Sequence, residues 1–406
     1  MKNILIEEMK KVAIFLFASL ALQNIGAQNF IQAYKNRADM VSQTNITNNL
    51  TDFENLGVKT TGSPVNTNTL NWLKNKYISY GYTASQIEED PFTYTTSGGN
   101  STSSKNLVIT KTGTLYPDKY VIICGHFDTI VGPGVSDNGS GTSILLEAAR
   151  ILKDVPTEYS IKFIHFSGEE QGLKGSYHYA DEIAYQGSVR NLDIKLVFNI
   201  DQVGGQIGNN NTTITCERDT GGMSANNAAS NTVTQELAAC TSLYSPLQTS
   251  ISYAYSSDYI PFEAKGYTIT GFYEYIKSNN EHTVNDIFTN VDPVYVFNVG
   301  KAAVGALQHF AVASTTNNAL GTQEAPEQKI TETVNIYPNP VKNLLTIEFP
   351  KKTEKFNIEI SDMTGNTVLH SENQNRIDTT PLINGTYMIS VKTERSHVIK
   401  KIIIDK

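Results

Sequence analysis

The stretch that decides the fold runs over residues 119–153, KYVIICGHFDTIVGPGVSDNGSGTSILLEAARILK. Its opening, residues 120–124, is a short unbroken apolar run, the pattern of a strand buried on both faces. Its close, residues 141–153, sets Ile144, Leu145, Ala148, Ile151 and Leu152 along one side at helical spacing. Between them lies a Gly-rich loop, residues 132–141, with His126 just past the strand and Asp137 at the mouth of the helix. The same order recurs downstream. Residues 161–166 and 196–200 read as further buried strands, and residues 294–313 as a second long helix. Strand followed by helix, repeated, predicts an α/β class fold: a mixed sheet inside an α/β/α sandwich.

Working outward, residues 30–113 are mixed, with a helix expected over 70–80 and ended by Gly81. Ahead of them, Lys10 and Lys11 precede an apolar run over 12–22, and Ala27 offers a small residue for cleavage. That is the order of an export signal, and the run is too short for a permanent membrane helix. Glu7 and Glu8 are unusual in a positively charged leader, which leaves Met1 and Met9 both open as starts. Residues 314–332, rich in Thr, Asn, Gln, Glu and Ala, have linker composition. Beyond them the period changes to two: Leu345, Ile347 and Phe349, Ile358 and Ile360, then Tyr387, Ile389 and Val391 alternate with polar residues. Asn384-Gly385 and the turn at 362–365 supply hairpin chemistry for a small β-sandwich. The expected division is therefore a signal peptide at 1–27, a main domain at 28–313, a linker at 314–332 and a β-sandwich at 333–406.

The 406 residues exceed one ordinary domain, and 39% hydrophobic content is enough to bury two cores. With 40 acidic against 32 basic side chains, the net charge of −8 offers no cationic stripe for a phosphate backbone. Nucleic acid is excluded as a partner, and no membrane span is expected after the leader. Three cysteines cannot make a dense disulfide framework. Cys124 reads as a core thiol, while a Cys216–Cys240 pair stays open.

The chemistry gathers past the strand ends, where open α/β sheets bind ligands. His126, Asp137, Glu169, Glu170, Asp201 and His282 all fall there. Two imidazoles with several carboxylates suit zinc better than magnesium or calcium, which prefer oxygen alone. Asp137 is placed to bridge two ions roughly 3.5–4 Å apart, the arrangement that makes a shared water nucleophilic near neutral pH. Neighbouring side chains in a turn diverge, so one of Glu169 and Glu170 can hold metal while the other handles protons. Asp128 is placed to orient the His126 imidazole and fix its tautomer.

These segments, Gly125-His126-Phe127-Asp128-Thr129, Ser136-Asp137-Asn138-Gly139-Ser140-Gly141, Ser167-Gly168-Glu169-Glu170-Gln171-Gly172-Leu173, Asn199-Ile200-Asp201 and Glu281-His282-Thr283, resemble the M28 zinc aminopeptidase family over roughly residues 35–313. The resemblance implies that His126 and Asp201 hold one zinc, Glu170 and His282 a second, and Asp137 both. It implies Glu169 as the general base, a nonprolyl cis peptide at Asp137-Asn138, and peptides with a free N-terminus as substrates. Where several relatives have a Tyr before the final His, this chain has Glu281, with Tyr273 or Tyr275 as the substitutes in view. Tyr337-Pro338-Asn339-Pro340, Asp362-Met363-Thr364-Gly365, Asn384-Gly385-Thr386-Tyr387 and Lys400-Lys401-Ile402 resemble the sorting domain of the type IX secretion system. That implies secretion via the periplasm to the outside or the cell surface, with the type IX machinery as partner.

Other readings are narrower. No G-x-S-x-G elbow or H-E-x-x-H helix occurs, against serine-hydrolase and H-E-x-x-H chemistry. Within the fold, a glutaminyl cyclase with one zinc and a carboxypeptidase of the M28 type are the alternatives. His165, inside an apolar strand, and His178, on a helix, read as structural. Asp258 fits either a pocket position or a helix N-cap, and Asp286 a supporting or capping group.

Overall fold

The apolar runs form the middle of an eight-stranded sheet, in the order β1-β2-β4-β3-β7-β10-β8-β9. The computed structural model describes residues 28–316, 335–349, 355–362, 367–393 and 397–406. The expected leader, most of the linker and the turn residues 363–366 lie outside them. Helices α1 (Gln32–Ala38), α2 (Gln43–Asn55) and α3 (Pro64–Ser79) precede the hairpin β1 (Ile87–Thr95) and β2 (Ser101–Lys111). Next come β3 (Tyr116–His126), α4 (Ser140–Leu152), β4 (Tyr159–Phe166) and the short α5 (Lys174–His178). A small ribbon, β5 (Tyr185–Gln186) with β6 (Val189–Arg190), leads into β7 (Asp193–Ile200). The unit closes with β8 (Thr213–Arg218), α6 (Asn227–Tyr244), β9 (Gln248–Tyr253), α7 (Ile260–Ala264), β10 (Ile269–Glu274) and α8 (Pro293–Phe310).

Strands β4, β3, β7 and β10 run parallel, β1 and β2 meet their neighbours antiparallel, and β8 is antiparallel to β10 but parallel to β9, so the sheet is mixed. Period two sends Val121 and Ile123 to one face and Ile122 and Cys124 to the other. The first face packs against Leu50 and Phe53 of α2, Leu73 and Tyr77 of α3, Ile144 and Leu145 of α4, and Val299 and Ala303 of α8. Tyr179 and Phe262 cover the second. Burying each such strand side chain contributes about 1.5–3 kcal/mol, and doing so on both faces produces the α/β/α sandwich.

Helix α3 begins earlier than the apolar spacing predicts, because Ser63 caps it through the Asn66 N–H and Pro64 occupies its first turn. Gly81, at φ +89°, follows its end as expected. Helix α8 stops at Phe310 rather than 313: Val312 turns to φ +50°, and Ala313 bridges to Thr157. Cys124, Cys216 and Cys240 are all buried free thiols.

The chain divides between Ala319 and Leu320. In the second unit β11 (Asn335–Tyr337), β12 (Leu344–Glu348) and β15 (Arg376–Asp378) make one antiparallel sheet. Strands β13 (Phe356–Ser361), β14 (Thr367–Glu372), β16 (Gly385–Thr393) and β17 (His397–Ile404) make the other. Leu345, Ile347, Ile358, Ile360, Ile389 and Val391 share one core. Asn384-Gly385 does not close a hairpin: it leads from β15 in one sheet into β16 in the other.

Where α4 meets the end of β7 there is no room for a side chain. A Cβ on Gly141 would lie 2.3 Å from the Ile200 carbonyl oxygen and 2.5 Å from Asn138 Oδ1. Gly141→Ala is therefore expected to cost about 1–3 kcal/mol through overpacking, read as a lowered midpoint for the first unfolding transition in urea. An unchanged midpoint would show that this approach carries no strain.

Candidate metal centre

The parallel strands bring their carboxyl ends to one rim of the sheet. His126 is the last residue of β3, Asp201 follows Ile200 of β7, and Glu169 and Glu170 lie shortly past Phe166 of β4. His282 comes from the loop after β10, and Asp137 from the turn Val135–Gly139 ahead of α4. The Asp137-Asn138 peptide is cis.

Two triads of donor atoms result, His126 with Asp137 and Asp201, and Asp137 with Glu170 and His282. Within each, the atoms lie within 4.8 Å of one another. His126 Nε2 is 3.1 Å from Asp137 Oδ1 and 3.1 Å from Asp201 Oδ1. His282 Nε2 is 3.2 Å from Asp137 Oδ2 and 3.0 Å from Glu170 Oε2. Asp137 thus turns one oxygen to each imidazole, and it alone belongs to both triads. Glu169 belongs to neither. Imidazole nitrogen mixed with carboxylate oxygen fits a borderline ion such as zinc better than a hard oxygen-seeking one.

Hydrogen bonds hold the turn that carries Asp137 and the Asp201 carboxylate in place. Asp286 accepts the Ser136 N–H at 2.7 Å and the Asp137 N–H at 3.0 Å, fixing the bridging turn. Asn138 donates to the Ile200 carbonyl at 2.9 Å and accepts the Gly141 N–H at 2.9 Å, tying that turn to β7. On Asp201, Oδ2 accepts hydroxyl protons from Tyr255 at 2.7 Å and Ser257 at 2.6 Å. Sequence reasoning passed over Tyr255 and Ser257, since hydroxyl residues in a strand-to-helix loop carry no metal-ligand signal.

Asp128 works differently from the expectation. His126 Nδ1 is 3.1 Å from its main-chain carbonyl, whereas its carboxylate is 3.7 Å away. An N–H donated to that carbonyl leaves Nε2 as the free lone pair. The carboxylate instead accepts the N–H groups of Glu169 and Glu170, at 3.1 and 3.3 Å, and the Thr61 hydroxyl. It sets the Glu169–Glu170 turn.

Of the tyrosines weighed against the absent Tyr, Tyr275 is exposed and Tyr273 packs on Tyr255 with ring centroids 4.7 Å apart. His165 is buried against the Tyr77 hydroxyl at 2.8 Å, and His178 meets Asp90 at 3.1 Å; neither joins the centre. Asp258 is fully buried, and neither carboxylate oxygen has a hydrogen-bond partner.

The charges show what the site demands. Burial works against a charged His126, yet Asp201 and Asp137 lift its pKa well above the usual range. The Asp137 hydrogen bond, against burial and with Glu170, raises His282 to about 9. Burial and the Asp137 charge push Glu170 up to about 8. Burial likewise raises Glu169. Protons are drawn to where positive charge is needed.

Residues 106–306 match Peptidase family M28, and residues 335–405 match the Secretion system C-terminal sorting domain. Residues 106–306 thus carry a Peptidase family M28 domain, and residues 335–405 a secretion sorting domain. Among proteins it resembles is Aminopeptidase YwaD of Bacillus subtilis, 42% identical over 106 residues, which are 26% of this chain and 23% of that protein. The match thus spans less than a quarter of that relative. The first unit's fold is that of BSAP, a zinc aminopeptidase from Bacillus subtilis, with TM-score 0.57, 16% identity, and 67% and 95% of the two chains covered. A Bacteroides thetaiotaomicron glutaminyl cyclase has TM-score 0.55 and 14% identity over 66% and 97%.

A cation entering these triads must displace the protons they hold. Because the His126, His282 and Glu170 pKa values are raised, affinity should climb as pH rises toward about 9 and weaken below neutral. Calorimetric titration of Zn2+ into metal-stripped protein at about pH 6.5 and about pH 8.5, in buffers of different ionisation enthalpy, should show tighter binding and less proton release at the higher pH. Equal affinity at both would contradict the arrangement.

Proposed function

We propose that this chain is a secreted zinc aminopeptidase that removes N-terminal residues from peptides. The carrying observation is Asp137, whose two oxygens face two different imidazoles at 3.1 and 3.2 Å. That supports two zinc ions per chain, with His126 and Asp201 on one, Glu170 and His282 on the other, and Asp137 on both. Zinc bound there supplies Lewis acidity, polarising the amide carbonyl and making water a nucleophile near neutral pH. The match to Peptidase family M28 and the names of YwaD and BSAP support the same activity.

Glu169 is the proton carrier in this reading. Its main chain is pinned to Asp128 Oδ1, and its carboxylate lies outside both triads. Burial raises its pKa, which favours taking a proton from the attacking water and passing it to the leaving amine. The acidic surroundings suit a substrate with a free ammonium group. A glutaminyl cyclase with the same fold remains the competing reading, and metal count separates the two. The sorting domain supports export through the type IX machinery, via the periplasm, to the outside or the cell surface. Among the described residues no helix is long and apolar enough to cross a membrane.

Purified protein should contain two zinc ions and hydrolyse aminoacyl anilides, with turnover abolished when the substrate amine is acetylated. Glu169→Gln should retain both ions yet lose about two to four orders of magnitude in kcat. One metal, with cyclisation of an N-terminal glutamine peptide and no hydrolysis, would overturn this reading in favour of the cyclase.

A further inference from the structure

Two side chains flank the metal centre without joining it. Gln202 directly follows Asp201, and Glu281 directly precedes His282, so each neighbours a donor of a different triad. The two side chains meet: Gln202 Nε2 donates to Glu281 Oε2 in a short contact. The other carboxylate oxygen of Glu281 pairs with Lys277 Nζ.

Gln202 is a rigid anchor. It is buried, at φ +52°, its N–H donates to Asn138 Oδ1 at 3.3 Å, and its carbonyl accepts the Glu274 N–H at 3.0 Å. Glu274 in turn accepts the Ser278 and Gly205 N–H groups, which fastens the loop carrying Glu281 to the loop after β7. Tyr273 lies within electrostatic reach of Glu281, Asp201 and Asp137, and its ring packs on Tyr255 at an interplanar angle of 55°. The mouth of the centre thus combines a carboxylate, an amide and an aromatic wall. Lys277 is the loose member, its side chain 58% exposed against 20% for Glu281.

We propose that Glu281 is a specificity-determining residue that recognises a cationic side chain on the first residue of the substrate, so that peptides beginning with Lys or Arg are preferred. This rests on the aminopeptidase reading. A peptide whose amino end lies at the two triads brings its first side chain to the segments on either side of them, which are those of Gln202 and Glu281. Lys277 is the exposed partner and gives up side-chain freedom to hold the pair, so an incoming ammonium or guanidinium replaces it at little cost. The incoming cation gains a charge-assisted bond to a carboxylate that Gln202 already holds in place, and the faces of Tyr255 and Tyr273 favour it further. Ile276 and Val284, exposed on the same loop, can cover its methylene stem. An apolar first residue would instead press against a partly buried carboxylate and amide whose hydrogen bonds it cannot match.

The test compares kcat/KM for Lys-, Arg-, Leu- and Glu-anilides on the zinc-loaded full chain. Lys and Arg should exceed Leu by about tenfold or more. Glu281→Gln should collapse that ratio, mainly through KM, and Lys277→Met, which removes the competing cation, should raise it. Calorimetry of lysinamide against leucinamide on zinc-loaded Glu169→Gln protein reads the same preference without turnover. Preference for Leu or Glu in the unaltered chain, or a Lys-to-Leu ratio untouched by Glu281→Gln, overturns the assignment. Hydrolysis of none of the four anilides would instead strike the aminopeptidase reading itself, and the preference with it.

Discussion

A carboxylate shared between two imidazoles imposes the constraint around which the first unit is organised. Where Asp137 faces His126 and His282 together, Asp201 and Glu170 crowd into the same small volume. Two like charges 4 Å apart repel by about 4 kcal/mol at the effective dielectric of a partly buried site. Such a cluster persists only where positive charge enters it, as protons on the raised His126, His282 and Glu170 or as metal ions in their place. The supporting bonds follow from the same need. Asp286, Asn138, Tyr255 and Ser257 fix acidic groups or their backbone, so that geometry survives whichever cation is present. Non-glycine residues at positive φ occur at Gln202 and His282, next to or within the donor set. Backbone of that kind costs of order 1–3 kcal/mol per residue and persists where surroundings over-determine it.

The segment between α2 and α3 is what joins the two donor loops from behind. Lys59 is fully buried, its Nζ donates to the carbonyls of Gly57 and Pro133, and it rests over the Phe53 ring at 3.7 Å. Pro133 lies in the loop that carries Asp137. Thr61 donates to Asp128, the residue that sets the Glu169–Glu170 turn. Asn66 reaches Ser167, at the start of that same turn, at 3.1 Å. Burial pushes the Lys59 pKa down to about 7, with Asp286 and Glu54 opposing the fall. In its protonated form, which it gives up as pH rises through about 7, Lys59 balances part of the negative charge gathered there.

How much of this the sequence disclosed depends on the range of the signal. The strands around Val121, Phe163 and Phe198 were plain, because burial on both faces leaves continuous apolar runs. The acidic and imidazole residues His126, Asp137, Glu169, Glu170, Asp201 and His282 are legible as candidates because each sits near a strand end or helix mouth, a local landmark, and the structure gathers all but Glu169 into the two triads. Helix α3 was misplaced at its start although Ser63-Pro64 marks it, because the polar run that follows hides the periodicity. Tyr255, Ser257 and Lys59 were invisible: their roles depend on contacts with residues far along the chain, at Asp201 and Pro133. Asp128 is legible as the partner of His126, but that its main-chain carbonyl rather than its carboxylate meets the imidazole depends on a backbone path no local pattern states.

The β-sandwich shows the opposite economy. Its core, from Val341 through Ile404, gathers side chains of both its sheets together with Val341 and Leu382 from the connections, and every donor of the two triads lies between residues 126 and 282. A domain of this size gains only a few kcal/mol from a single core, so its integrity rests on the alternation that sends Ile358, Ile360, Ile389 and Val391 inward together. A one-residue slip in β13 or β16 would turn that set toward solvent. The pairing of Ile358 with Val391 and of Ile360 with Ile389 fixes the register against that slip. The match to the sorting domain falls wholly on the second unit and the match to the peptidase family wholly on the first, so each is carried by a core of its own.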